Sequence, residues 1–212
     1  MGMDRLHGAG EAGAWAEAEA ERYNITGIAQ ASQGMEEQAI ASFSRASELA
    51  PHVPGYYYNR GIVYASRGEF GLALADFTRA LQLRGEDADI LHNRGNVYAM
   101  MGELDAALAD LSRCIELNPN QPEPYNSRAV VFAQKGDYVS AFRDFARAIE
   151  LKPQYAEAHF NLARLNALLG QCDLASAHLK EAIILQPAYR QVARALGDFD
   201  ACRGRPGFTV DI

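Results

Sequence analysis

The chain has 212 residues, 49% of them hydrophobic and 22% charged, which is the composition of a folded protein rather than a disordered one. Its 27 acidic and 20 basic residues give a net charge of -7. Because such a surface repels phosphates, we expect no nucleic acid partner. No run approaches the roughly 18 apolar residues that span a bilayer, so no direct membrane span is expected.

The start of the chain and its cysteines bear on location. Residues 1–13 lack the basic region and apolar stretch of a secretion signal, and Leu6 stands where an acylation signal has serine or threonine. Cys114, Cys172 and Cys202 are odd in number and show no CxxC spacing. We therefore expect reduced thiols, no metal, no cofactor, and a cytoplasmic or other reducing soluble compartment.

The first segment, residues 1–19, is rich in alanine, glutamate and glycine. We expect a frayed or partly helical N-terminal extension, with Trp15 as a large apolar residue close to the start of the next element.

From residue 20 onward the sequence repeats every 34 residues. Proline recurs at Pro51, Pro119, Pro153 and Pro187, and Gly85 fills the missing place in that series, so one turn position holds a helix breaker five times. A second series holds the two smallest residues, which predicts that a side chain packs against the backbone there. Its members are Gly27, Gly61, Gly95, Ala129 and Ala163.

Each period predicts two amphipathic helices joined by a turn. The turn glycines are Gly34, Gly68, Gly102, Gly136 and Gly170. The second helix carries apolar residues at steps of four and three, such as Ala73, Phe77 and Ala80. The first helix carries an aromatic residue four positions before the small one, such as Tyr57 before Gly61. Each helix is about 13 residues, or roughly 20 Å, long.

This order of aromatic, small, aromatic, turn glycine, alanine, phenylalanine, alanine and proline resembles the tetratricopeptide repeat (TPR) family. The resemblance implies an all-α, right-handed superhelical solenoid whose first helices line a concave surface. Five units fit without insertion: 20–53, 54–87, 88–121, 122–155 and 156–189.

The repeat phase continues into residues 190–203, where Val192, Leu196 and Phe199 form an apolar stripe. Gly204 and Pro206 are placed to end a helix. We expect a capping helix over 190–203 that covers the last repeat, followed by a flexible tail at 204–212.

Charged residues recur at fixed positions in three units. The arginines are Arg60, Arg94 and Arg128, and the aspartates 16 residues later are Asp76, Asp110 and Asp144. The first unit has Thr26 with Ser42 and the fifth has Leu162 with His178, so both charges are lost together. This covariation favours structural Arg–Asp ion pairs, and the alternative is an exposed binding ladder for phosphate or carboxylate.

A series of amides is the better candidate for binding. Asn59, Asn93, Ser127 and Asn161 each stand one residue before the arginine position. Amide side chains can both donate to and accept from a peptide backbone. Similar ladders hold extended peptides in TPR superhelices, which is what the resemblance implies here. The alternative is that these amides only form local bonds on the helix surface.

Family geometry also implies which other residues face the groove. The rim positions hold Glu21, Gly55, Asp89, Glu123 and Glu157. The floor positions hold Tyr58, His92, Asn126, Phe160, Ile62, Asn96, Val130 and Arg164. TPR domains that clamp acidic C-termini need Lys or Arg at such places, so the acidic rim disfavours that partner and favours a neutral or basic segment. Tyr56 and Tyr58 are expected as exposed anchors on either side of the core Tyr57.

No enzyme motif is present: the sequence has no GxSxG, P-loop, HExxH or paired-carboxylate pattern. The sequence thus predicts a non-enzymatic adaptor or scaffold that binds a protein or peptide in its groove. The alternative is a self-assembling scaffold that uses the face around Trp15 or an imperfectly capped C-terminus. The sequence leaves the oligomeric state open.

Overall fold

The computed structural model describes residues 4–210, with side chains from residue 13 onward. This part of the chain is entirely helical, with eleven α-helices and one short 3₁₀ turn, Asp200–Cys202. The helices are α1 (Asp4–Ser32), α2 (Glu36–Leu49), α3 (Pro54–Ser66), α4 (Phe70–Arg84), α5 (Ala88–Met100), α6 (Leu104–Leu117), α7 (Pro122–Gln134), α8 (Tyr138–Leu151), α9 (Ala156–Leu168), α10 (Cys172–Leu185) and α11 (Tyr189–Leu196).

The helix boundaries follow the repeated breakers. Pro54 and Pro122 open α3 and α7 at the position where a missing N–H costs nothing. Gly68 and Gly136 adopt positive φ of 75° and 80° in the turns between paired helices, a conformation that other residues rarely adopt. These turns bring each second helix back against its first helix.

The chain forms two compact units, Met1–Glu103 and Leu104–Ile212. In the first unit α1 packs on α2, α2 on α3, α3 on α4, and α4 on α5. In the second unit the same consecutive packing joins α6 to α7, α7 to α8, α8 to α9, and α9 to α10. The all-α repeat architecture expected from the sequence is confirmed.

The small residues in the first helices are explained by the aromatic residue of the second helix. A Cβ added at Gly27 would lie 2.7 Å from the Phe43 ring, and one added at Gly61 would lie 2.8 Å from the Phe77 ring. Phe43 and Phe77 are buried, each against the first helix of its own repeat. At Gly27 and Gly61 the ring and the backbone therefore meet at a distance that excludes even a methyl group.

The N-terminal segment is more regular than the sequence suggested. Residues 4–19 continue directly into α1 rather than forming a separate frayed extension, and residues 1–3 lie outside the described part. Ala20 is fully buried against α2 and α3 residues, among them Ala46 and Tyr56. The packed part of α1 therefore begins at the predicted start of the first repeat.

The C-terminal cap differs from the predicted single helix over 190–203. Helix α11 ends at Leu196 because Gly197 turns into the left-handed region, and the 3₁₀ turn Asp200–Cys202 follows. This break places Phe199 fully inside the apolar cluster formed with α9 and α10. Of the predicted apolar stripe, Phe199 is buried, by a turn and not by a helix. Val192 and Leu196 are 38% and 49% exposed, and Ala193 is the buried residue of α11.

The predicted flexible tail also packs on the protein. Phe208 and Val210 lie against the C-terminal cluster, and the Thr209 N–H donates to Ser176 Oγ at 3.0 Å. Residues 204–210 thus contribute to the cap, and residues 211–212 lie outside the described part.

The expectation of three reduced thiols is wrong for two of them, because Cys172 and Cys202 form a disulfide. It joins the first residue of α10 to the end of the 3₁₀ turn, and both cysteines are buried. Cys114 remains a buried thiol on α6. The two partners are 30 residues apart with no motif spacing, so the sequence offered no sign of their pairing.

Candidate functional site

Two of the predicted Arg–Asp pairs are bidentate and shielded from solvent. Arg60 Nε and Nη2 donate to the Asp76 carboxylate at 2.7 and 2.8 Å, and this contact raises the pKa of the Arg60 guanidinium. Arg128 binds Asp144 in the same way at 2.6 and 3.0 Å. The aspartate side chains are only 8% and 6% exposed. Arg60 and Arg128 therefore have a structural role, because each holds a shielded carboxylate.

The third predicted pair is surrounded by different contacts. Arg94 Nη1 donates to Thr78 Oγ1 at 3.2 Å, and its guanidinium lies 5.9 Å from the centre of the Tyr98 ring. Asp110 is buried on α6. The pairing of Arg94 with Asp110 stays a prediction.

In the first unit the predicted asparagines are linked to polar residues of the preceding first helix. Asn59 Nδ2 donates to Asn24 Oδ1 at 2.8 Å, which joins α3 to α1. Asn93 Nδ2 donates to Tyr58 OH at 3.0 Å, which joins α5 to α3, and to the Asp89 carbonyl at 2.9 Å. The first helices of this unit therefore share a row of polar side chains along one face.

The second unit repeats this arrangement between α9 and α7. Asn161 Nδ2 donates to Asn126 Oδ1 at 3.1 Å, and Asn126 Nδ2 donates in turn to Glu157 Oε1 at 3.2 Å. Asn126 is buried, Asn161 is half-buried and Glu157 is exposed. Ser127, the fourth member of the predicted series, is half-buried on α7. A polar chain thus runs from the inside of the unit to a carboxylate in solvent.

The remaining predicted groove residues are polar and accessible to different extents. Asp89 is exposed on α5, and His92 lies 3.2 Å from Asn96 through its Nε2 atom. Glu123 is half-buried and forms an ion pair of 3.4 Å with Lys152. None of these contacts neutralises Asp89 or Glu157, so both units keep a carboxylate at the rim of the row.

The two tyrosines predicted as exposed anchors behave differently. Tyr56 is 4% exposed and donates its hydroxyl hydrogen to Glu21, so it is a core residue. Tyr58 is half-buried, with its ring 6.0 Å from Phe77, and burial raises the pKa of its hydroxyl. A tyrosine hydroxyl both accepts and donates, so Tyr58 can accept from Asn93 and donate to a ligand.

Sequence reasoning missed two exposed isoleucines on α1. Ile25 and Ile28 are 58% and 49% exposed, and they occupy the positions that Asn59 and Ile62 have in the next repeat. Extending the alignment of groove positions back by 34 residues would have found them. Together with Ile62, which is also exposed, they place apolar side chains beside the Asn59–Asn24 contact.

Sequence reasoning also missed a cavity of about 370 Å³ in the second unit. Its lining includes Asn161 together with Val130, Ala133 and Leu165 from the first helices α7 and α9. Asp198 closes one side from the cap. The sequence indicated part of the cavity lining, since Val130 and Arg164 were expected at the groove floor. It did not indicate Asp198, which reaches the cavity through the turn at Gly197.

The fifth helix pair has His178 at the aspartate position of the ion pairs and His159 at the position of Tyr125. His159 and His178 approach each other to 3.3 Å between Nδ1 atoms, and His159 Nε2 lies 3.0 Å from the Pro153 carbonyl. Burial, and then the nearby His159, lower the pKa of His178. Among the described residues, no three His, Cys, Asp or Glu side chains gather as a metal site requires.

None of the described helices has both the length and the apolar character to cross a membrane.

Comparison with known proteins agrees with this architecture. The family model described as "Tetratricopeptide repeat" matches residues 88–121, and the one described as "TPR repeat" matches residues 63–102 and 130–170. No curated protein sequence matches the chain at a significant level.

Solved structures share the fold. YrrB, described as a TPR protein with an unusual peptide-binding site, is 28% identical, with a TM-score of 0.63 over 82% of this chain and 91% of that one. MamA from Desulfovibrio magneticus RS-1 is 19% identical, with a TM-score of 0.72 over 80% and 96%. PilW, a type IV pilus biogenesis factor, is 20% identical, with a TM-score of 0.74 over 86% and 88%. The chain is a tetratricopeptide repeat protein, a member of a family of protein-interaction scaffolds.

Proposed function

We propose that this protein is a non-enzymatic adaptor that binds a peptide or helix of a partner protein on the polar faces of its first helices. The observation that carries the proposal is the recurrence of one contact, an asparagine amide donating to the polar residue of the preceding first helix. It occurs at Asn59, Asn93 and Asn161. No catalytic group is required for such recognition.

These amides are oriented before a partner arrives. A primary amide has two N–H donors and a carbonyl that accepts, so one side-chain contact leaves capacity for a peptide backbone. Asn59 and Asn161 each use one N–H in the row, whereas Asn93 uses both. A fixed side chain loses less conformational entropy on binding, which favours affinity. The unusual peptide-binding site described for YrrB is consistent with this use of the fold.

The charge of the face selects the partner. Asp89 and Glu157 are exposed carboxylates near Asn93 and Asn161, and Arg60 and Arg128 are held in ion pairs with Asp76 and Asp144. The chain as a whole carries a net charge of -7. We therefore propose a neutral or basic partner segment, with electrostatic attraction that weakens as salt is added.

The test is affinity capture from cells that make this protein, with wild type compared to the triple variant Asn59→Ala, Asn93→Ala and Asn161→Ala. The matched control replaces three amides away from this face, Gln33, Gln82 and Asn120, by alanine. The triple variant should lose partners that the control retains, while both melt within a few degrees of wild type. Retention of every partner by the triple variant would show that the amide row is not the binding face.

A second candidate function, self-association, rests on the N-terminal helix. Trp15 is 66% exposed on α1, an unusual environment for the largest apolar side chain. The C-terminal end is a weaker candidate than the sequence suggested, because Ala193, Phe199 and Cys202 are buried in the cap. Light scattering across a hundredfold concentration range tests this: growth in mass that Trp15→Ala abolishes supports self-association, and a constant monomer mass excludes it.

A further inference from the structure

The cavity between α7 and α9 has a mainly apolar lining. Phe145 and Leu165 are buried at its inner surface, while Leu168 is 66% exposed at its edge. Val130 and Ala133 complete the apolar lining from α7. Its volume of about 370 Å³ lies within the range that ligand pockets occupy.

The cap supplies the fixed wall of this cavity. Asp198 accepts from Arg164 Nε at 2.5 Å, and the next residue, Phe199, is fully buried. Three residues further on, Cys202 is bonded to Cys172 of α10. Asp198 is thus held from both sides, and the cavity exists before any ligand binds.

The polar groups around the cavity define what else the ligand must carry. Among the described residues, the Asn161 side chain makes the one hydrogen bond to Asn126, so its second N–H and its carbonyl can meet a peptide backbone. Glu157 lies one helical turn before Asn161 and is exposed. The charge of Arg164 is balanced by Asp198. The Glu157 carboxylate therefore sets the charge that a ligand meets beside the cavity.

We infer that this cavity is an anchor pocket for one large apolar side chain of a partner peptide, with a basic residue of the same peptide beside Glu157. The inference rests on the proposed function and names the ligand class at one part of that face. Glu157 and the cavity are separated by one to two helical turns, or about 6–12 Å. An extended peptide rises about 3.3 Å per residue, so the basic and apolar residues should be roughly two to four positions apart.

The experiment uses the full chain and labelled synthetic octapeptides, acetylated and amidated at their ends, on a serine–threonine background. The first peptide carries lysine three positions before phenylalanine. The second has alanine in place of phenylalanine, and the third has glutamate in place of lysine. Binding is measured by fluorescence anisotropy, and the site is located by methyl NMR of valine, leucine and isoleucine.

The first peptide should bind and shift the methyl signals of Val130, Leu165 and Leu168. Removing its phenylalanine should weaken binding about ten- to a hundredfold, because one large apolar side chain is no longer buried. Leu168→Ala should weaken binding severalfold, and Ala133→Phe should abolish it by filling the cavity. Ile184→Ala on α10, which removes an equally exposed aliphatic side chain, should leave the affinity unchanged.

Equal affinities for the phenylalanine and alanine peptides would overturn the pocket, as would failure of the first peptide to bind wild type. The peptide comparison uses wild type, so it stands even if Ala133→Phe fails to fold. If the peptides do not bind wild type but the triple asparagine variant loses its captured partners, the pocket alone is overturned. If the triple asparagine variant keeps its captured partners but Leu168→Ala loses them, the amide face is overturned and the pocket is kept.

Discussion

The helix pairs α7–α8 and α9–α10 are built on the same repeat positions with different chemistry. In α7–α8 the bidentate Arg128–Asp144 pair joins the two helices, and the Arg128 guanidinium lies 5.9 and 5.7 Å from the ring centres of Tyr125 and Phe132. In α9–α10 the corresponding residues are Leu162, His178, His159 and Asn166. Leu162 and His178 thus occupy the places of the ion pair, and His159 occupies the place of Tyr125.

The α9–α10 pair compensates with covalent and apolar contacts. Its outer side is covered by the cap, in which Phe199, Cys202 and Ala193 are fully buried. The Cys172–Cys202 disulfide then fixes the cap to α10. The internal helix pair is thus stabilised by a shielded ion pair, and the terminal helix pair by its cap.

The largest expected effect comes from breaking the ion pair of α7–α8. Asp144→Ala leaves the Arg128 charge shielded without a partner and should lower the free energy of unfolding by about 3–5 kcal/mol, measured by urea denaturation. Replacing both Arg128 and Asp144 by leucine should cost far less. The control is Glu150→Ala, which breaks the exposed Arg147–Glu150 pair and should cost less than about 1 kcal/mol. Equal costs for Asp144→Ala and Glu150→Ala would contradict the structural role of the pair.

The second effect concerns the disulfide of α9–α10. A bridge between residues 30 positions apart is expected to stabilise the fold by about 3–4 kcal/mol through the entropy of the unfolded chain. A dithiol reductant should therefore lower the melting temperature of wild type, as measured by circular dichroism. The double variant Cys172→Ser and Cys202→Ser should melt low with or without reductant. A melting temperature that is the same for both proteins under both conditions would exclude the bridge.

The third effect separates two glycines of the cap that both have positive φ. Gly207 has φ of 89°, and the Asp173 carboxylate occupies the place that a Cβ would take, whereas Gly204 has φ of 73° with open space around it. Gly204→Ala should cost only the backbone strain of about 1–2 kcal/mol. Gly207→Ala should cost about 1–3 kcal/mol more, because Asp173 must move. Thermal melting of the two variants gives the comparison, and a smaller cost at Gly207 would show that the tail does not pack on α10.

The repeat itself could be predicted from the sequence because it depends on local rules. Glycine with positive φ, proline in the turn between repeats and apolar steps of three and four act within one repeat, so Gly68, Pro51 and Phe77 were placed correctly. Covariation between repeats also pointed to the ion pairs that Arg60 and Arg128 form, while the Arg94–Asp110 pair stays a prediction. The roles proposed for the asparagines remain predictions, since their contacts in the structure are compatible with either binding or local support.

The cap could not be predicted in the same way because it occurs once. The left-handed turn at Gly197 ends α11 and carries Phe199 and Asp198 to positions that no period of 34 residues describes. The Cys172–Cys202 pairing depends on that turn, so an odd cysteine count pointed to the wrong redox state. The cavity wall at Asp198 was missed for the same reason.

The smallest effect is a pH dependence confined to α9–α10. The His159 ring nitrogen near the Pro153 carbonyl must donate, so in the neutral pair His159 Nδ1 accepts and His178 Nδ1 donates. Burial and His159 lower the pKa of His178 below its ordinary 6.5, and Glu181 opposes this only partly. The unfolded chain therefore binds more protons than the folded one as pH falls below about 6.5. This contribution to stability is fully present above that pH and is lost as pH falls toward the pKa of folded His178.

Melting curves between pH 7.5 and about 5 should show this loss in wild type and a flatter profile in His178→Asn, which keeps a polar group but does not titrate. The α7–α8 pair offers the internal control, because its two helices contain no histidine. Residue-level hydrogen exchange should accordingly show faster opening of α10 at the lower pH while α8 stays protected. Identical pH profiles for wild type and His178→Asn would remove the histidines as the distinguishing feature of the terminal pair and leave its cap as the remaining difference.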